Sequence, residues 1–127
     1  MKKGKPAPVR VLIADDHRLF AEALEAVLST EERIEVVGRA ADGEEAVALA
    51  RTLEPDVVAL DISMPVMDGF EAAEQLELLD RPPAVLMLTG SNAPEDIERA
   101  RAVGVKGYVT KDAIAASLVD AILAAAR

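Results

Sequence analysis

The feature that most constrains this chain is an alternation of two periodicities along its length. Short runs rich in Val, Ile and Leu alternate with longer segments whose apolar residues recur at helical spacing. The short runs predict five strands, at Val9–Ala14, Ile34–Ala40, Val57–Asp61, 84–88 and 106–109. The longer segments predict five helices, at 19–28, 44–53, 69–79, Pro94–Ala102 and 113–126. This order predicts an α/β fold with a parallel sheet, right-handed crossovers and helices on both faces.

Length and composition limit the class of protein. The 127 residues fit one domain, at 9–127, after a Lys/Gly/Pro tail at 1–8 that is predicted to be disordered. No apolar stretch approaches the roughly 20 residues needed to span a bilayer, so we expect a soluble, cytoplasmic protein with no membrane partner. The absence of cysteine excludes disulfides and thiolate metal sites. A net charge of -9 argues against direct nucleic-acid binding, which depends on clustered Lys and Arg.

Polar side chains stand where four of the predicted strands end. They are Asp15 and Asp16 after the first strand, Asp61 at the third, Thr89 at the fourth and Lys111 after the fifth. Parallel strands bring their carboxyl ends to one edge of the sheet, where ligands bind in open α/β folds. Clustered carboxylates repel one another and favour a divalent cation, and oxygen ligands suit Mg²⁺ better than zinc. A hydroxyl and an ammonium would complete a cradle for a phosphoryl group.

Other polar residues near predicted helix starts have a structural interpretation. Asp42 and Asp68 are expected to cap helices or form turns, and Asp16 or His17 is placed to cap the first helix. With one histidine in the chain, there is no basis for an imidazole metal site or a phosphohistidine relay.

Five segments in order make the chain similar to a known family. They are 9–17, Gly38 with 41–46, the loop 61–69, 88–89 and 107–112. On these segments the chain resembles the CheY-like receiver domains of two-component response regulators, and most closely the LuxR/NarL-type branch. The resemblance covers 9–127. It implies a flavodoxin-like, doubly wound sheet with strand order 2-1-3-4-5 and five helices.

The resemblance implies a role for each residue at the strand ends. Asp61 matches the aspartate that takes a phosphoryl group from phosphohistidine on a sensor histidine kinase, forming an acyl phosphate. Asp15, Asp16, Asp61 and the Ser63 backbone carbonyl match the Mg²⁺ ligands. Lys111 matches the lysine that pairs with the phosphoryl oxygens. Such a protein is a signalling switch that assists its own phosphorylation and dephosphorylation, and not an enzyme with a separate substrate.

Two further residues match the parts of the family that change on phosphorylation. Thr89 matches the switch hydroxyl, and Tyr108 matches the switch aromatic that turns inward, although simple packing at the edge of the sheet is an alternative for Tyr108. The implied output is a surface change on the fourth helix, the fifth strand and the fifth helix.

The sequence departs from the family pattern in two places. Asp112 follows Lys111, where many receivers have Pro, which is in keeping with the LuxR/NarL-type branch. That branch normally continues into a helix-turn-helix DNA-binding domain, which this chain does not contain. The expected output is therefore transcription through another domain, and the sequence leaves open whether the chain is an excised or a stand-alone receiver.

Three alternative classes of protein fit the sequence less well. A pseudo-receiver would act as an interaction module without phosphorylation, but such proteins usually lack an acidic pocket residue or the lysine. A haloacid-dehalogenase-type phosphatase would have a second Asp where Ser63 stands. A dinucleotide-binding domain would need a Gly-rich turn after the first strand, where this chain has Asp15 and Asp16.

The last predicted helix is apolar on two sides. Its core stripe comprises Ile114, Leu118, Ala121, Ile122 and Ala125, and Val119, Leu123 and Ala126 lie roughly opposite. A helix of this kind usually buries a second face, although chance alanine richness is an alternative. We therefore expect a homodimer through the first and last helices, or through the face from the fourth to the fifth helix.

Overall fold

The computed structural model describes residues 7–90 and 94–127, which form one five-stranded parallel sheet flanked by helices. The strands are β1 (Val9–Ala14), β2 (Ile34–Ala40), β3 (Val57–Asp61), β4 (Ala84–Thr89) and β5 (Gly107–Thr110). The α-helices are α1 (Arg18–Ser29), α2 (Gly43–Leu53), α3 (Gly69–Glu77), α4 (Pro94–Ala102) and α5 (Ile114–Ala125). The strand order is β2-β1-β3-β4-β5, which confirms the expected fold class and topology.

Most of the tail at 1–8 lies outside the described residues, as does the segment 91–93 that follows β4, so the predicted disorder of the tail stays a prediction. Within the described parts of the chain, no helix is both long and apolar enough to cross a membrane.

Two apolar layers pack on opposite faces of the sheet. Helices α1 and α5 cover one face, mainly through Ala21, Leu24, Leu28, Ile114, Leu118 and Ile122. Helices α2, α3 and α4 cover the other, mainly through Ala46, Val47, Ala50, Phe70, Ala73, Leu76 and Ala100. Along β1, Val11 and Ile13 join the first layer, whereas Leu12 and Ala14 join the second. A strand buried on both faces explains why these runs are continuously apolar in the sequence.

Most element boundaries agree with the predictions to within one or two residues. Helix α3 ends at Glu77, two residues early, because the Leu78 and Leu79 amides donate to carbonyls only three residues back, a tighter turn. A 3₁₀ turn at Lys111–Ala113 precedes α5, so the last helix begins one residue later than expected. His17 takes the position before α1, as predicted, but its side chain makes no capping hydrogen bond.

The capping roles expected for two acidic residues are confirmed. The Asp42 carboxylate accepts a hydrogen bond from the Glu45 amide at 2.8 Å, and Asp68 accepts one from the Glu71 amide at 2.9 Å. Each carboxylate pairs a backbone N–H that has no partner within its helix. Neither residue therefore needs a role in catalysis to explain its presence.

The loop between β3 and α3 is held in place at both ends. The Gly69 amide donates to the Ile62 carbonyl at 2.7 Å, and the Gly43 amide at the start of α2 donates to the Met67 carbonyl at 3.1 Å. Between these bonds, Val66 has a φ of 70°, and the flanking Met67 amide donates to the Pro65 carbonyl at 2.7 Å. A positive φ at a β-branched residue is strained, so the surrounding contacts must impose this turn.

Gly69 is required by the close approach of the chain to the end of β3. A Cβ atom at this position would overlap the carbonyl oxygen of Asp61 and lie 2.7 Å from the Ile62 Cα. We expect Gly69→Ala to lower the free energy of unfolding by at least about 1–3 kcal/mol, because the obstructing atoms belong to the backbone. Urea unfolding would measure this loss. Gly90→Ala is the matched control, since a Cβ there meets nothing within 4 Å, and equal stabilities of the two variants would contradict the prediction.

Candidate active site

The carboxyl edge of the sheet brings the expected polar residues to one place. Asp15 directly follows β1, and Asp61 is the last residue of β3, the neighbouring strand. Thr89 ends β4, one residue beyond Leu88, which is the register partner of Asp61. Asp15, Asp61 and Thr89 are all buried, with exposed fractions of 3, 4 and 4%. Buried polar side chains at the ends of adjacent strands distinguish this edge from the apolar core beneath it.

Lys111 connects the two buried carboxylates. Its Nζ atom lies 3.2 Å from Asp15 Oδ2 and 3.4 Å from Asp61 Oδ2. Lys111 reaches this position because it follows β5 in the 3₁₀ turn, and its side chain is 23% exposed. One ammonium therefore faces two carboxylates that are shielded from water, which leaves an excess of negative charge at the site.

Asp16 and His17 form the mouth of the site. The Asp16 side chain is 35% exposed, and its Oδ1 atom lies 3.5 Å from His17 Nδ1. The His17 side chain is 73% exposed, and its backbone amide donates to Asp15 Oδ1 at 2.8 Å. Asp15 is thus fixed by the backbone that immediately precedes α1, whereas Asp16 stays accessible from solvent.

The surroundings of Asp61 disfavour its charged form. Burial raises the pKa of the Asp61 carboxyl above its ordinary value, and the nearby Asp15 charge raises it further. The Lys111 ammonium and a hydrogen bond from the Ser63 amide lower the same pKa without cancelling the increase. The free site would therefore gain from any additional positive charge near Asp61.

The donor atoms fit a hard divalent cation. One ligand atom from each of Asp15, Asp16, His17 and Asp61 lies within 4.8 Å of the others. Asp15 Oδ2 is buried and has no hydrogen-bond partner among the described residues, although it forms the ion pair with Lys111. A buried carboxylate oxygen held only by an ion pair, next to two further carboxylates, is the ligand chemistry of Mg²⁺.

Two other predicted site residues, Ser63 and Tyr108, lie outside this cluster of carboxylates. Ser63 is exposed and lines a groove of about 540 Å³ together with Asp16, Met64, Asp68, Asp96 and Arg99. Tyr108 lies apart from the carboxylates. It is half-buried against the second apolar layer and lines a groove of about 230 Å³ with Ile97, Ala100 and Arg101 of α4. Its position does not distinguish a switch from edge packing.

Four residues near the site have no role there that the sequence predicted. The ring of Phe20 lies under Lys111, with Nζ 4.4 Å from the ring centroid. Arg99 of α4 lies over the ring of Phe70 of α3, 4.2 Å from its centroid. His17 lies beside the carboxylates, although a lone histidine gave no metal-site signal. The two phenylalanines occupied apolar positions of helical patterns, and such patterns do not reveal which ring faces a cation.

Comparison with known proteins identifies the family to which the chain belongs. The family model described as the response regulator receiver domain matches residues 11–123, most of the chain. The chain belongs to this family and is a receiver domain of a two-component response regulator. Receiver domains are signalling switches that bind Mg²⁺ at an acidic pocket and interact with histidine kinases.

Individual relatives agree with the LuxR/NarL-type branch. The probable transcriptional regulatory protein NarL of Mycobacterium tuberculosis is 35% identical over 127 residues, covering 100% of this chain and 59% of that protein. The response regulator protein VraR of Staphylococcus aureus is 40% identical over 115 residues, covering 90% and 54%. The receiver-domain structure of the Mycobacterium tuberculosis NarL matches with a TM-score of 0.91 at 36% identity, covering 95% of this chain and 98% of that one. The chain spans little more than half the length of the two curated relatives.

The raised pKa of Asp61 predicts a pH-dependent effect on stability. Between the pKa of the unfolded carboxyl and the higher folded value, the folded state binds more protons, so this group's contribution to stability falls as pH rises. We expect Asp61→Asn to be more stable than the wild type at pH 7 in chelator, and the difference to shrink as pH falls below both pKa values.

Urea unfolding of both proteins across pH measures this difference. Asp42→Asn is the matched control, because it removes one charge at a helix cap where Asn also serves. An Asp61→Asn variant that is no more stable at pH 7, or whose advantage is the same at every pH, would contradict the prediction.

Proposed function

We propose that Asp61 accepts a phosphoryl group from the phosphohistidine of a sensor histidine kinase, in a Mg²⁺-dependent reaction. The observation that carries the proposal is the placement of Asp61: a buried carboxylate at a strand end, 3.4 Å from Lys111 and beside Asp15 and Asp16. An interaction module alone would have no need to hold three carboxylates and an ammonium together. The chain would act as a switch, with cytoplasmic location as expected from its sequence, and would assist its own phosphorylation and dephosphorylation.

The transfer would form one bond and break one. An oxygen of the Asp61 carboxylate attacks phosphorus, and the new O–P bond forms as the P–N bond to the kinase imidazole breaks. The electron pair of the P–N bond stays on the imidazole nitrogen, which takes up a proton. Burial raises the pKa of Asp61 and so makes its carboxylate a more basic nucleophile, while Lys111 helps to keep that carboxylate ionised.

Charge neutralisation is the main contribution the protein would make. The transition state for such a transfer is loose, with charge spread over the phosphoryl oxygens. Lys111 already lies between Asp15 and Asp61, so it needs only a small displacement to reach those oxygens. Asp16, Asp61 and the Ser63 carbonyl would hold Mg²⁺ directly, and Asp15 partly through water. When bound, Mg²⁺ supplies positive charge to the carboxylates and to the phosphoryl oxygens.

Thr89 and Tyr108 would transmit the change to the surface. The acyl phosphate adds about two negative charges and new acceptor oxygens next to Asp61. Thr89, buried at the end of β4, would move toward these oxygens, and Tyr108 on β5 would turn inward. Ala100 of α4 shares an apolar layer with Met87 of β4 and Tyr108 of β5, so the surface formed by α4, β5 and α5 would change. One of the relatives is a probable transcriptional regulatory protein, and the chain spans 54 to 59% of the length of two such regulators. The output would therefore be transcription, through a DNA-binding domain outside this chain.

Phosphorylation can be tested without the kinase. We expect incubation with acetyl phosphate and Mg²⁺ to add one phosphoryl group, detected by intact mass, and we expect chelator to prevent it because the carboxylates then stay uncompensated. Asp61→Ala should abolish the mass gain. Asp42→Asn is the matched control, since it also alters an aspartate at the sheet edge but leaves the cluster intact.

Each outcome of this experiment is informative. A Mg²⁺-dependent gain in the wild type and in Asp42→Asn, absent from Asp61→Ala, would support the proposal. No gain in a well-folded wild type would contradict it and favour a pseudo-receiver. A gain that persists in Asp61→Ala would place the acceptor on another residue.

We also propose that the active form is a homodimer that uses α1 and α5, with the face from α4 to α5 as the alternative. Supporting observations are the apolar residues exposed on α1, where Leu19 is 80% and Val27 is 40% exposed. On α5, Val119 and Leu123 are only half-buried, although they also pack against the first apolar layer. Apolar surface on two adjacent helices is typical of an interaction site.

Sedimentation velocity of the phosphorylated protein tests this interface. We expect Val27→Glu to weaken the dimer by at least about tenfold in Kd, because it places a charge within an apolar contact. Leu78→Glu is the matched control, since Leu78 is also exposed, at 78%, but lies after α3 on the other face of the sheet. A dimer unaffected by Val27→Glu, or a phosphorylated protein that stays monomeric, would contradict the proposed interface.

A further inference from the structure

Phe20 holds an unusual position for a residue of an apolar helix stripe. It lies in α1 near the mouth of the site, where it is half-buried and packs on the edge of the first apolar layer. Its ring also faces the Lys111 ammonium, with Nζ 4.4 Å from the ring centroid. A cation within about 6 Å of a ring centroid is attracted by the negative face of the ring. Phe20 therefore contacts the core on one side and the site on the other.

The ring complements the other contacts of Lys111. Two carboxylate oxygens, from Asp15 and Asp61, approach the ammonium at 3.2 and 3.4 Å. The aromatic face attracts the same ammonium from a third element of the fold, the helix α1. A lysine side chain loses considerable rotamer entropy when it is fixed, so a third attraction favours the arrangement in which Nζ stays between the carboxylates.

The kind of attraction matters for a lysine that must move. A hydrogen-bond acceptor in the place of Phe20 would hold Nζ in one direction, and another carboxylate would add a charge that competes with the phosphoryl oxygens. The face of a ring attracts a cation without demanding one donor direction. Lys111 can therefore shift from Asp15 toward a group on Asp61 while it stays over the ring.

We propose that Phe20 is a positioning residue for Lys111, and that its ring keeps the ammonium where it meets the phosphoryl group transferred to Asp61. The proposal rests on the proposed function of Asp61. It assigns to α1 a part in the rate of phosphorylation, in addition to its part in the core.

The contact itself can be measured without any phosphorylation. Ring currents from Phe20 should displace the NMR signals of the Lys111 side-chain methylene next to Nζ. We expect Phe20→Leu to abolish this displacement and Phe20→Tyr, which keeps a ring, to preserve it. Leu28→Val is the matched control, because Leu28 is fully buried in the same helix and layer but belongs to the far end of α1. It should destabilise the core and leave the Lys111 signal unchanged.

The consequence for catalysis is measured with acetyl phosphate at saturating Mg²⁺. We expect Phe20→Leu to lower the rate constant for phosphorylation by about threefold to tenfold, the range typical of one cation–π contact. The Phe20→Tyr variant, which keeps an aromatic ring, should be phosphorylated at the wild-type rate. Pentafluorophenylalanine at position 20, which keeps the ring shape but reverses its charge distribution, should be as slow as Phe20→Leu. Leu28→Val should phosphorylate at the wild-type rate.

The outcomes separate this inference from the proposed function. A wild type that gains no phosphoryl group overturns the proposed function and this inference together. A wild type that phosphorylates normally overturns the inference alone if Phe20→Leu or the pentafluoro variant is equally fast, or if the Lys111 signal is the same in Phe20→Leu. The proposal is supported if the Phe20→Leu and pentafluorophenylalanine variants are slow and the Phe20→Tyr variant is as fast as the wild type.

Discussion

Two buried carboxylates that share one ammonium form the interaction on which the rest of the site depends. Asp15 and Asp61 are withdrawn from water, and Lys111 is the one cation within ion-pair distance of both among the described residues. The fold imposes this arrangement, because β1 and β3 are neighbours in a parallel sheet and both end at the same edge. Negative charge in excess at a place of low dielectric makes the local structure sensitive to any change of charge there.

The two consecutive aspartates after β1 differ in burial and in their contacts. Only one of the two, Asp15, is buried. Asp15 faces inward, accepts the His17 amide at 2.8 Å and contacts Lys111, and is therefore held in one orientation. Asp16 lies at the mouth, where its side chain is 35% exposed. Under the proposed Mg²⁺-dependent function, one fixed and one exposed carboxylate would keep the site ordered before the ion binds and would still accommodate it.

The sequence predicted most of the fold and of the acidic cluster, because both depend on periodicity. Asp15 and Asp61 could be placed since each directly ends an apolar run, and Asp42 and Asp68 since each precedes a helical pattern. The contact of Phe20 with Lys111 could not be predicted, because it depends on how far α1 is rotated over the sheet. The surroundings of Tyr108 could not be predicted from the sequence either. Its groove is formed with α4, and no local sequence pattern gives the distance between two elements.

The separation of the two apolar layers has a consequence for how such a domain can evolve. The strands carry side chains into both layers, but α1 and α5 share one layer and α2, α3 and α4 the other. A substitution that changes volume in one layer can be compensated by neighbours in that same layer, without repacking the opposite one. The surface of α1 and α5 and the surface around α4 can therefore diverge separately, and lineages can acquire new partners on one side while the other side keeps its ancestral packing.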